Sequence, residues 1–168
     1  MAYLIATAAP PVLDLPEAVQ CLELAGWTTC VILTPTAASW LRGVRLDGAG
    51  RHVRVEPRHP AEPDPLPDAS AVLAAPLTFN TINKWATGVS DTLALGLLNE
   101  LLGTGVPIVG APCVKAALCR HPAWARNIEL LRNSGVRFLD QDATIRRRPD
   151  GLATFDWSRV VAALNDMS

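Results

Sequence analysis

The sequence predicts an α/β protein in which a doubly wound parallel sheet, Rossmann-like or flavodoxin-like, carries helices on both faces. Two observations support this prediction. Short apolar runs, typical of buried strands, alternate along the chain with segments of helical periodicity. The first strand, the first helix and the second strand fall within roughly 30 residues, which is the size of a βαβ unit with parallel strands. A hairpin and a helix are predicted at the C-terminal end.

The composition restricts the class of protein. The chain has 168 residues, which we expect to form a single domain, 1–168. Of these residues 49% are hydrophobic and 18% are charged, a composition that excludes a disordered chain or a coiled coil. The net charge of −1 lacks the basic excess of a nucleic-acid-binding protein. The apolar runs are too short to span a bilayer, and we interpret no segment as a signal peptide. Four irregularly spaced cysteines fit reduced thiols in the cytoplasm better than disulfides or a metal site.

The first predicted elements build the βαβ unit. Residues 3–7 form a buried strand, and two prolines break the chain after it. The first helix begins at Pro16, because proline lacks the N–H that a first helical turn leaves unpaired, and it ends at Gly26. The β-branched run at residues 29–34 is the second strand. A short helix at residues 37–41 and an alternating strand at residues 51–55 follow.

The middle of the chain contains a loop, a strand and an apolar helix. Residues 56–68 carry five prolines, a density that excludes regular structure, and we interpret them as an extended loop. Residues 71–75 are a buried strand. Asn80 is the predicted cap of the next helix, Gly88 breaks that helix, and residues 89–102 form a strongly apolar helix.

The last third completes the predicted sheet. Residues 106–112 are a strand, residues 116–134 a helix closed by Gly135, and residues 136–139 the final strand. Asp150-Gly151 between two alternating runs predicts the hairpin. Ser158 is the predicted cap of the terminal helix.

Three strand ends carry candidate binding residues. In an open parallel sheet, ligands bind at the carboxyl ends of the strands, and residues 34–38, 76–81 and 111–113 each combine a proline with small or hydroxyl-bearing residues. Neutral donors near helix N-termini hold a phosphate or a polar ring edge, and the same residue types also cap helices and form turns. Both interpretations stay open for these donors, which are Thr34, Thr36, Thr78, Asn80 and Thr81. No dinucleotide, P-loop, HExxH or GxSxG motif occurs.

One of these strand ends resembles a known family. The run PLTFNTINKWATGVSDTLA is similar to the PxSxNTxxKxxxGxxDxL motif of the homo-oligomeric flavin-containing cysteine decarboxylases, which include phosphopantothenoylcysteine decarboxylase and peptidyl-cysteine decarboxylases of lantibiotic-type peptide biosynthesis. The matching positions are Pro76, Thr78 in place of Ser, Asn80, Thr81, Lys84, Gly88, Asp91 and Leu93. The likeness extends over residues 3–139, through the first helix, the second strand and the segment HPAWARNIELLRNSGV.

The resemblance implies a flavin site between the protomers of a trimer or of a multiple of trimers. The implied cofactor is FMN, with FAD as the alternative, and the implied partner is a peptide or a small thiol. The positions that would contact the cofactor are Thr7, Ala8, Ala9, Thr34, Thr36, Pro76, Thr78, Phe79, Asn80, Thr81, Ala111 and Cys113.

Three departures from the family pattern concern the phosphate and the substrate. Ala8-Ala9 replaces the family's glycine-serine turn, so a phosphate contact there must come from the backbone or from elsewhere. The family's PxMNxxMW segment reads PCVKAALC, which places Lys115 at the carboxylate-binding Asn. His59, in the proline-rich loop, is the histidine nearest to the family's catalytic histidine. The implied catalytic set is therefore His59, Asn80 and Lys115.

The implied activity is flavin-dependent oxidative decarboxylation of a C-terminal peptidyl cysteine to an enethiol, in peptide natural-product biosynthesis. In this reaction Asn80 would orient the substrate, Lys115 would hold its carboxylate, and His59 would carry a proton. The altered PxMNxxMW segment favours the alternative, an FMN-binding flavoprotein of other redox or accessory role that has lost decarboxylation. Flavin prenyl transfer is the weaker third alternative, because no basic cluster suited to a prenyl phosphate follows the strands.

Overall fold

Six parallel strands form the central sheet of the protein in the computed structural model, which describes residues 1–46, 52–59, 61 and 66–167. The strands are β1 (Ala2–Ala6), β2 (Thr29–Leu33), β3 (His52–Arg54), β4 (Ala71–Leu77), β5 (Ile108–Pro112) and β6 (Val136–Phe138). Their order is β3-β2-β1-β4-β5-β6, and every neighbouring pair is parallel. The direction of winding reverses between β1 and β4, which confirms the predicted doubly wound sheet.

Helices cover both faces of this sheet because side chains alternate along each strand. Leu4 of β1 belongs to the hydrophobic cluster on one face, and Ile5 belongs to the cluster on the other. A 3₁₀ helix (Pro10–Asp14), α1 (Leu15–Leu24), α2 (Pro35–Trp40) and the C-terminal α8 (Trp157–Asn165) pack on the first face. The second face carries α3 (Phe79–Ala86), α4 (Leu93–Leu102) and α6 (Pro122–Asn133).

The remaining elements lie near the carboxyl edge of the sheet. They are α5 (Ala116–Cys119), α7 (Gln141–Thr144) and an antiparallel hairpin of β7 (Ile145–Arg147) and β8 (Ala153–Phe155). The predicted Asp150-Gly151 turn is confirmed, with a left-handed φ of 82° at Gly151. Asp14 anchors the hairpin: it accepts hydrogen bonds from Thr154 Oγ1 at 2.6 Å and from Arg148 Nη1 at 3.1 Å.

Two predicted helix starts are wrong. Asn80 does not cap α3, because β4 extends through Pro76 to Leu77 and Thr78 takes the cap position, accepting a hydrogen bond from the Thr81 N–H at 3.2 Å. The helix predicted at residues 89–102 begins only at Leu93. Asn99 holds the preceding turn by donating to the Val89 carbonyl at 3.0 Å and to Ser90 Oγ at 2.9 Å.

Two further predictions are corrected in the C-terminal third. The segment 116–134 forms two helices, α5 and α6, because Pro122 restricts His121 to an extended conformation; His121 then caps α6. Asp156, not Ser158, caps α8, since its Oδ1 accepts the Arg159 N–H at 3.2 Å. Of the predicted strand 51–55, residue 51 lies outside the described residues, as do residues 60 and 62–65 of the proline-rich loop. None of the described helices has the length and apolar character needed to cross a bilayer.

Candidate functional site

A cleft of about 390 Å³ lies at the carboxyl edge of the sheet, where β1, β2 and β4 end. This is the place where the winding reverses and where ligands bind in doubly wound sheets. Its lining consists of Thr7, Ala8, Thr34, Pro35, Thr36, Thr78, Asn80, Thr81, Lys84, Asp91, Thr92 and Leu95. All five neutral donors predicted from the strand ends therefore lie in one cleft.

Thr7 connects the two strands on either side of the winding reversal. Its side chain is buried, and its Oγ1 donates a hydrogen bond to the Pro76 carbonyl at 2.8 Å while accepting the Thr78 N–H at 3.0 Å. The Thr7 N–H also donates to the Pro76 carbonyl, at 3.0 Å. The hydroxyl of Thr7 thus fixes the start of α3 at the edge of the cleft that Thr7 itself lines.

The first turn of α3 forms one wall of the cleft. Thr78 Oγ1 accepts the Thr81 N–H at 3.2 Å and lies 3.0 Å from Thr81 Oγ1. The side-chain amide of Asn80 is exposed beside them, and none of the described residues hydrogen bonds to it. The first N–H groups of a helix have no intrahelical partner, so this wall offers backbone donors next to a free amide.

The opposite wall is the turn between β2 and α2. The Thr34 N–H donates to the Ala6 carbonyl at 3.1 Å, and Thr34 Oγ1 accepts the Ala37 N–H at 3.3 Å. Thr36 is exposed in the first turn of α2. The wall thus holds one hydroxyl fixed as a cap and one hydroxyl free to turn toward a ligand.

Among the described residues, one ion pair lies in the cleft. Lys84 Nζ donates to Asp91 Oδ2, which joins the last turn of α3 to the residue before the cap of α4. Both residues match the family motif, yet the sequence alone gave neither a role in the site. Their fixed spacing in that motif could have indicated a contact between the two side chains. The fold explains this spacing, because it brings Lys84 and Asp91 together as an ion pair.

The cleft suits a flavin by size and by donor chemistry. Its volume falls within the range of about 300–1,000 Å³ that is usual for small-molecule sites. Hydroxyls, a side-chain amide and helix N-terminal N–H groups are suitable donors for a phosphate and for the carbonyl and nitrogen edge of an isoalloxazine ring. Ala8 lines the cleft without adding a hydroxyl, so the free donors here are the Thr36 hydroxyl, the Asn80 amide and the backbone N–H groups at the start of α3.

Five predicted cofactor positions do not line the cleft. Ala9, Pro76 and Ala111 are buried in the fold. Phe79 turns toward α6, with its ring centroid 5.5 Å from that of His121 and 6.5 Å from that of Trp124. Cys113 follows β5, and its N–H donates to the Leu77 carbonyl at 2.9 Å. Burial raises the pKa of the Cys113 thiol to about 11, against the opposing charge of Arg147.

The two ionisable residues of the predicted catalytic set lie outside the cleft. His59 is exposed, and its Nδ1 accepts the Ala61 N–H at 3.2 Å. The nearby Glu56 and Pro57 line a second hollow, and this hollow shares Asp91 and Thr92 with the cleft. The loop that carries His59 therefore passes close to the rim of the cleft. Lys115 is exposed before α5 and makes no capping hydrogen bond.

A larger cavity of about 690 Å³ lies beyond β5, between α6 and α7, and no sequence pattern predicted it. Trp124, Ile128 and Phe138 contribute its apolar surface. Gln141 closes one side: its Oε1 accepts the Val114 N–H at 3.1 Å and its Nε2 contacts Cys119 Sγ at 3.5 Å. The segment that replaces PxMNxxMW is thus held by a residue of α7.

Comparison with known proteins identifies related sequences and folds. The profile of the family described as "Flavoprotein" matches residues 3–167. A cysteine/cysteine sulfinic acid decarboxylase from an unknown prokaryotic organism is 38% identical over 68 residues, which are 40% of this chain and 18% of the relative. The coenzyme A biosynthesis bifunctional protein CoaBC of Bacillus subtilis (strain 168) is 29% identical over 126 residues, 71% of this chain and 30% of the relative. The chain therefore spans less than a third of either relative.

A solved structure shares the whole fold. The FMN-dependent cysteine decarboxylase TvaF from thioviridamide biosynthesis superposes with a TM-score of 0.78 at 21% identity, covering 98% of this chain and 95% of that one. The six-stranded sheet with its flanking helices is thus an architecture known from experiment.

Proposed function

The chain belongs to the flavoprotein family, and from this premise we propose that it binds FMN and decarboxylates the C-terminal cysteine of a peptide oxidatively, leaving an enethiol. The family match confirms the resemblance inferred from the NTINK segment. One observation carries the proposal: the motif residues Thr78, Asn80, Thr81, Lys84 and Asp91 all line the cleft at the reversal of the sheet.

The proposed reaction removes two hydrogens and CO₂ from the terminal cysteine. FMN, when bound, supplies the oxidation by accepting a hydride from Cβ, while the thiol loses its proton. The resulting thioaldehyde draws the electrons of the Cα–carboxylate bond toward sulfur, so CO₂ leaves and an enethiolate forms. A proton then converts the enethiolate to the enethiol.

The chain's own residues bind and orient the reactants in this proposal. Asn80 donates from its free amide to the flavin edge or to the substrate. Lys115, two residues beyond Cys113, attracts the substrate carboxylate, and His59 carries protons at the rim of the cleft. The high pKa of Cys113 keeps its thiol protonated near neutral pH, so Cys113 adds no anion that would repel the carboxylate.

Two measurements test the proposal. The purified protein is denatured by heat and the released cofactor is identified by chromatography, with FMN expected rather than FAD. The FMN-loaded protein is then incubated without oxygen with a peptide ending in cysteine. The peptide is expected to lose the mass of CO₂ and two hydrogens while the flavin absorbance bleaches. A colourless protein that takes up neither flavin would contradict the proposal.

Variants of the two ionisable residues test their assigned roles. Lys115→Ala is expected to raise the KM for the peptide about tenfold, because a hydrogen bond to a charged group contributes about 1.5–3 kcal/mol and solvent screens this exposed one. His59→Ala is expected to lower kcat by about 10²-fold or more if it transfers a proton in the transition state. Full activity of His59→Ala would assign the proton transfer to water.

A second candidate function is flavin binding without decarboxylation. The observation that favours it is the segment 112–119, where the family's two Met positions and its Trp are replaced. Tight FMN binding with no change in any cysteine peptide would support this role over the first.

We also propose the setting in which this protein acts. Four free cysteines fit the reducing cytoplasm. Exposed apolar side chains, among them Leu130 at 45% and Leu118 at 39%, fit burial between protomers of a homotrimer or a multiple of it. Peptide natural-product biosynthesis is the proposed context, and a neighbouring gene for a short peptide ending in cysteine would support it.

A further inference from the structure

The second hollow opens directly beside the cleft, along α4, and has a volume of about 390 Å³. The two spaces adjoin, because Asp91 and Thr92 line both of them. Glu56 and Pro57, from the loop that leads to His59, line the hollow on its other side. A molecule that extends beyond the cleft in this direction therefore enters the hollow.

Gly96 lies in the floor of the hollow, inside α4. A glycine inside a helix weakens the helix relative to alanine, and the helical backbone at this position does not require one. Apart from its own helix and its chain neighbours, no described atom lies within 4 Å of the place where a Cβ would stand. No contact within the described part of the chain therefore explains the missing side chain. A molecule that approaches the backbone of α4 from outside would explain it.

The charges around the hollow are unbalanced. Glu56 and Glu100 line it, and no cation of the described residues forms an ion pair with either carboxylate. The third carboxylate, Asp91, accepts a hydrogen bond from Lys84. Leu97 is half-buried and adds apolar surface. A lysine or arginine side chain matches this lining, because it carries a positive charge on an apolar stem.

We propose that the hollow receives the part of the peptide substrate that precedes its terminal cysteine, and that Glu56 and Glu100 select a basic residue there. This assignment rests on the proposed function, in which Lys115 attracts the terminal carboxylate. Lys115 follows β5 and Glu56 follows β3, so the peptide would cross the cleft between them. Four strand spacings, about 19 Å in total, place the basic residue roughly four to six positions before the cysteine of an extended peptide.

Binding is measured separately from chemistry with a peptide that cannot react. A neutral peptide of eight residues ending in serine lacks the reactive thiol, so the FMN-loaded protein binds it without turnover. One arginine is placed in turn at each position before the serine, and calorimetry compares each dissociation constant with that of the same peptide carrying glutamine. Arginine roughly four to six positions before the serine should strengthen binding about fivefold, as expected for an exposed ion pair.

Variants of the two glutamates test the selection of charge. The Glu56→Gln, Glu100→Gln double variant should lose the preference for arginine. Glu129→Gln is the matched control, because Glu129 is also exposed but lies on α6 and outside the hollow, so the preference should remain. A preference that survives the double variant, or that Glu129→Gln also abolishes, overturns the assignment.

Gly96→Leu tests the hollow by filling it. Leucine favours a helix more than glycine does and the position is open, so this variant should keep its affinity for FMN and show an unchanged or higher Tm. Its affinity for the arginine peptide should fall about tenfold or more, because the leucine side chain occupies the space of the peptide. Undiminished peptide binding overturns the assignment. A change of the assembly mass in light scattering also overturns it, because a second copy of the chain would then cover α4 at this place.

Failure of this inference can be distinguished from failure of the proposed function. If the wild type shows no preference for arginine but decarboxylates a cysteine peptide, only the peptide site is refuted. If the preference depends on Glu56 and Glu100 but no cysteine peptide reacts, decarboxylation is refuted and the hollow remains a peptide-binding site.

Discussion

Thr7 shows how a single buried hydroxyl can organise a binding cleft. It joins the Pro76 carbonyl to the Thr78 N–H, partners 69 and 71 positions away along the chain. Asn80 and Thr81 follow Thr78 in the first turn of α3, so the position of these candidate ligand donors depends on this contact.

Replacing that hydroxyl by a methyl group should destabilise the protein without changing its shape. Thr7→Val leaves the Thr78 N–H without its acceptor in a buried position, which should lower the free energy of unfolding by about 1–3 kcal/mol. Urea denaturation measures this loss. Thr28→Val is the control, because Thr28 is exposed next to β2 and should change stability by less than about 0.5 kcal/mol. Equal stability of the two variants would contradict the role given to Thr7.

Two thiols whose pKa is raised in the folded protein should make its stability depend on alkaline pH. Burial raises the pKa of Cys30 and of Cys113 to about 11 each. In the unfolded chain these thiols ionise at about pH 8.5. Above that pH the unfolded state therefore holds fewer protons than the folded state. The free energy of unfolding should therefore be level below about pH 8 and fall as the pH rises toward 11. A Cys30→Ala, Cys113→Ala double variant should show a shallower fall; an unchanged slope would refute this origin.

Among the secondary-structure elements, α8 offers the clearest test of a boundary. Asp156 Oδ1 accepts hydrogen bonds from Ser158 Oγ and from the Arg159 N–H. Both bonds lower the pKa of Asp156, and the bond from Ser158 has the larger effect. Ser158 is thus a partner of the cap and not the cap itself.

Asp156→Ala should therefore cost more stability than Ser158→Ala. Loss of an N-cap costs about 1 kcal/mol, whereas Ser158→Ala leaves the Arg159 N–H satisfied. Because the folded-state pKa of Asp156 is lowered, its contribution is present near neutral pH and fades as the pH falls through the acidic range. Denaturation at pH 7 and at pH 3 measures both effects. A larger loss for Ser158→Ala would restore the boundary inferred from sequence.

The errors at helix starts have a common physical cause. Strand and helix periodicity located every strand of the central sheet, and Gly26, Gly88 and Gly135 correctly marked helix ends because each adopts a left-handed φ. Helix starts at α3 and α8 were misplaced because two candidate caps stand within two residues of each other there, and only tertiary contacts decide between them. The start of α4 depends on Asn99, a residue ten positions further along, which no local pattern reveals.

The part of the candidate site that could be predicted from the sequence consists of the residues that directly follow the parallel strands. Thr34, Thr36, Thr78, Asn80 and Thr81 meet in the cleft because carboxyl ends of parallel strands share one edge. Phe79 does not line this cleft, since neighbouring positions on a helix face different directions and its ring meets His121 and Trp124.

At the scale of the whole molecule, the proposed trimer leads to a measurement in solution. Light scattering at micromolar concentration should give three times the chain mass or a multiple of that value. The FMN-loaded and FMN-free proteins should be compared, because a ligand bound between protomers stabilises the assembly by mass action. A monomer in both samples would contradict the trimer and would require every cofactor contact to come from one chain.

The order of the strands also bears on how the protein is synthesised. β1 is the first strand to be translated but lies in the middle of the sheet, so one of its edges waits for β4 to leave the ribosome. Every residue that lines the cleft lies between positions 7 and 95, whereas the hairpin of β7 and β8 begins only at Ile145. A nascent chain thus contains every residue that lines the cleft well before the hairpin of β7 and β8 is made.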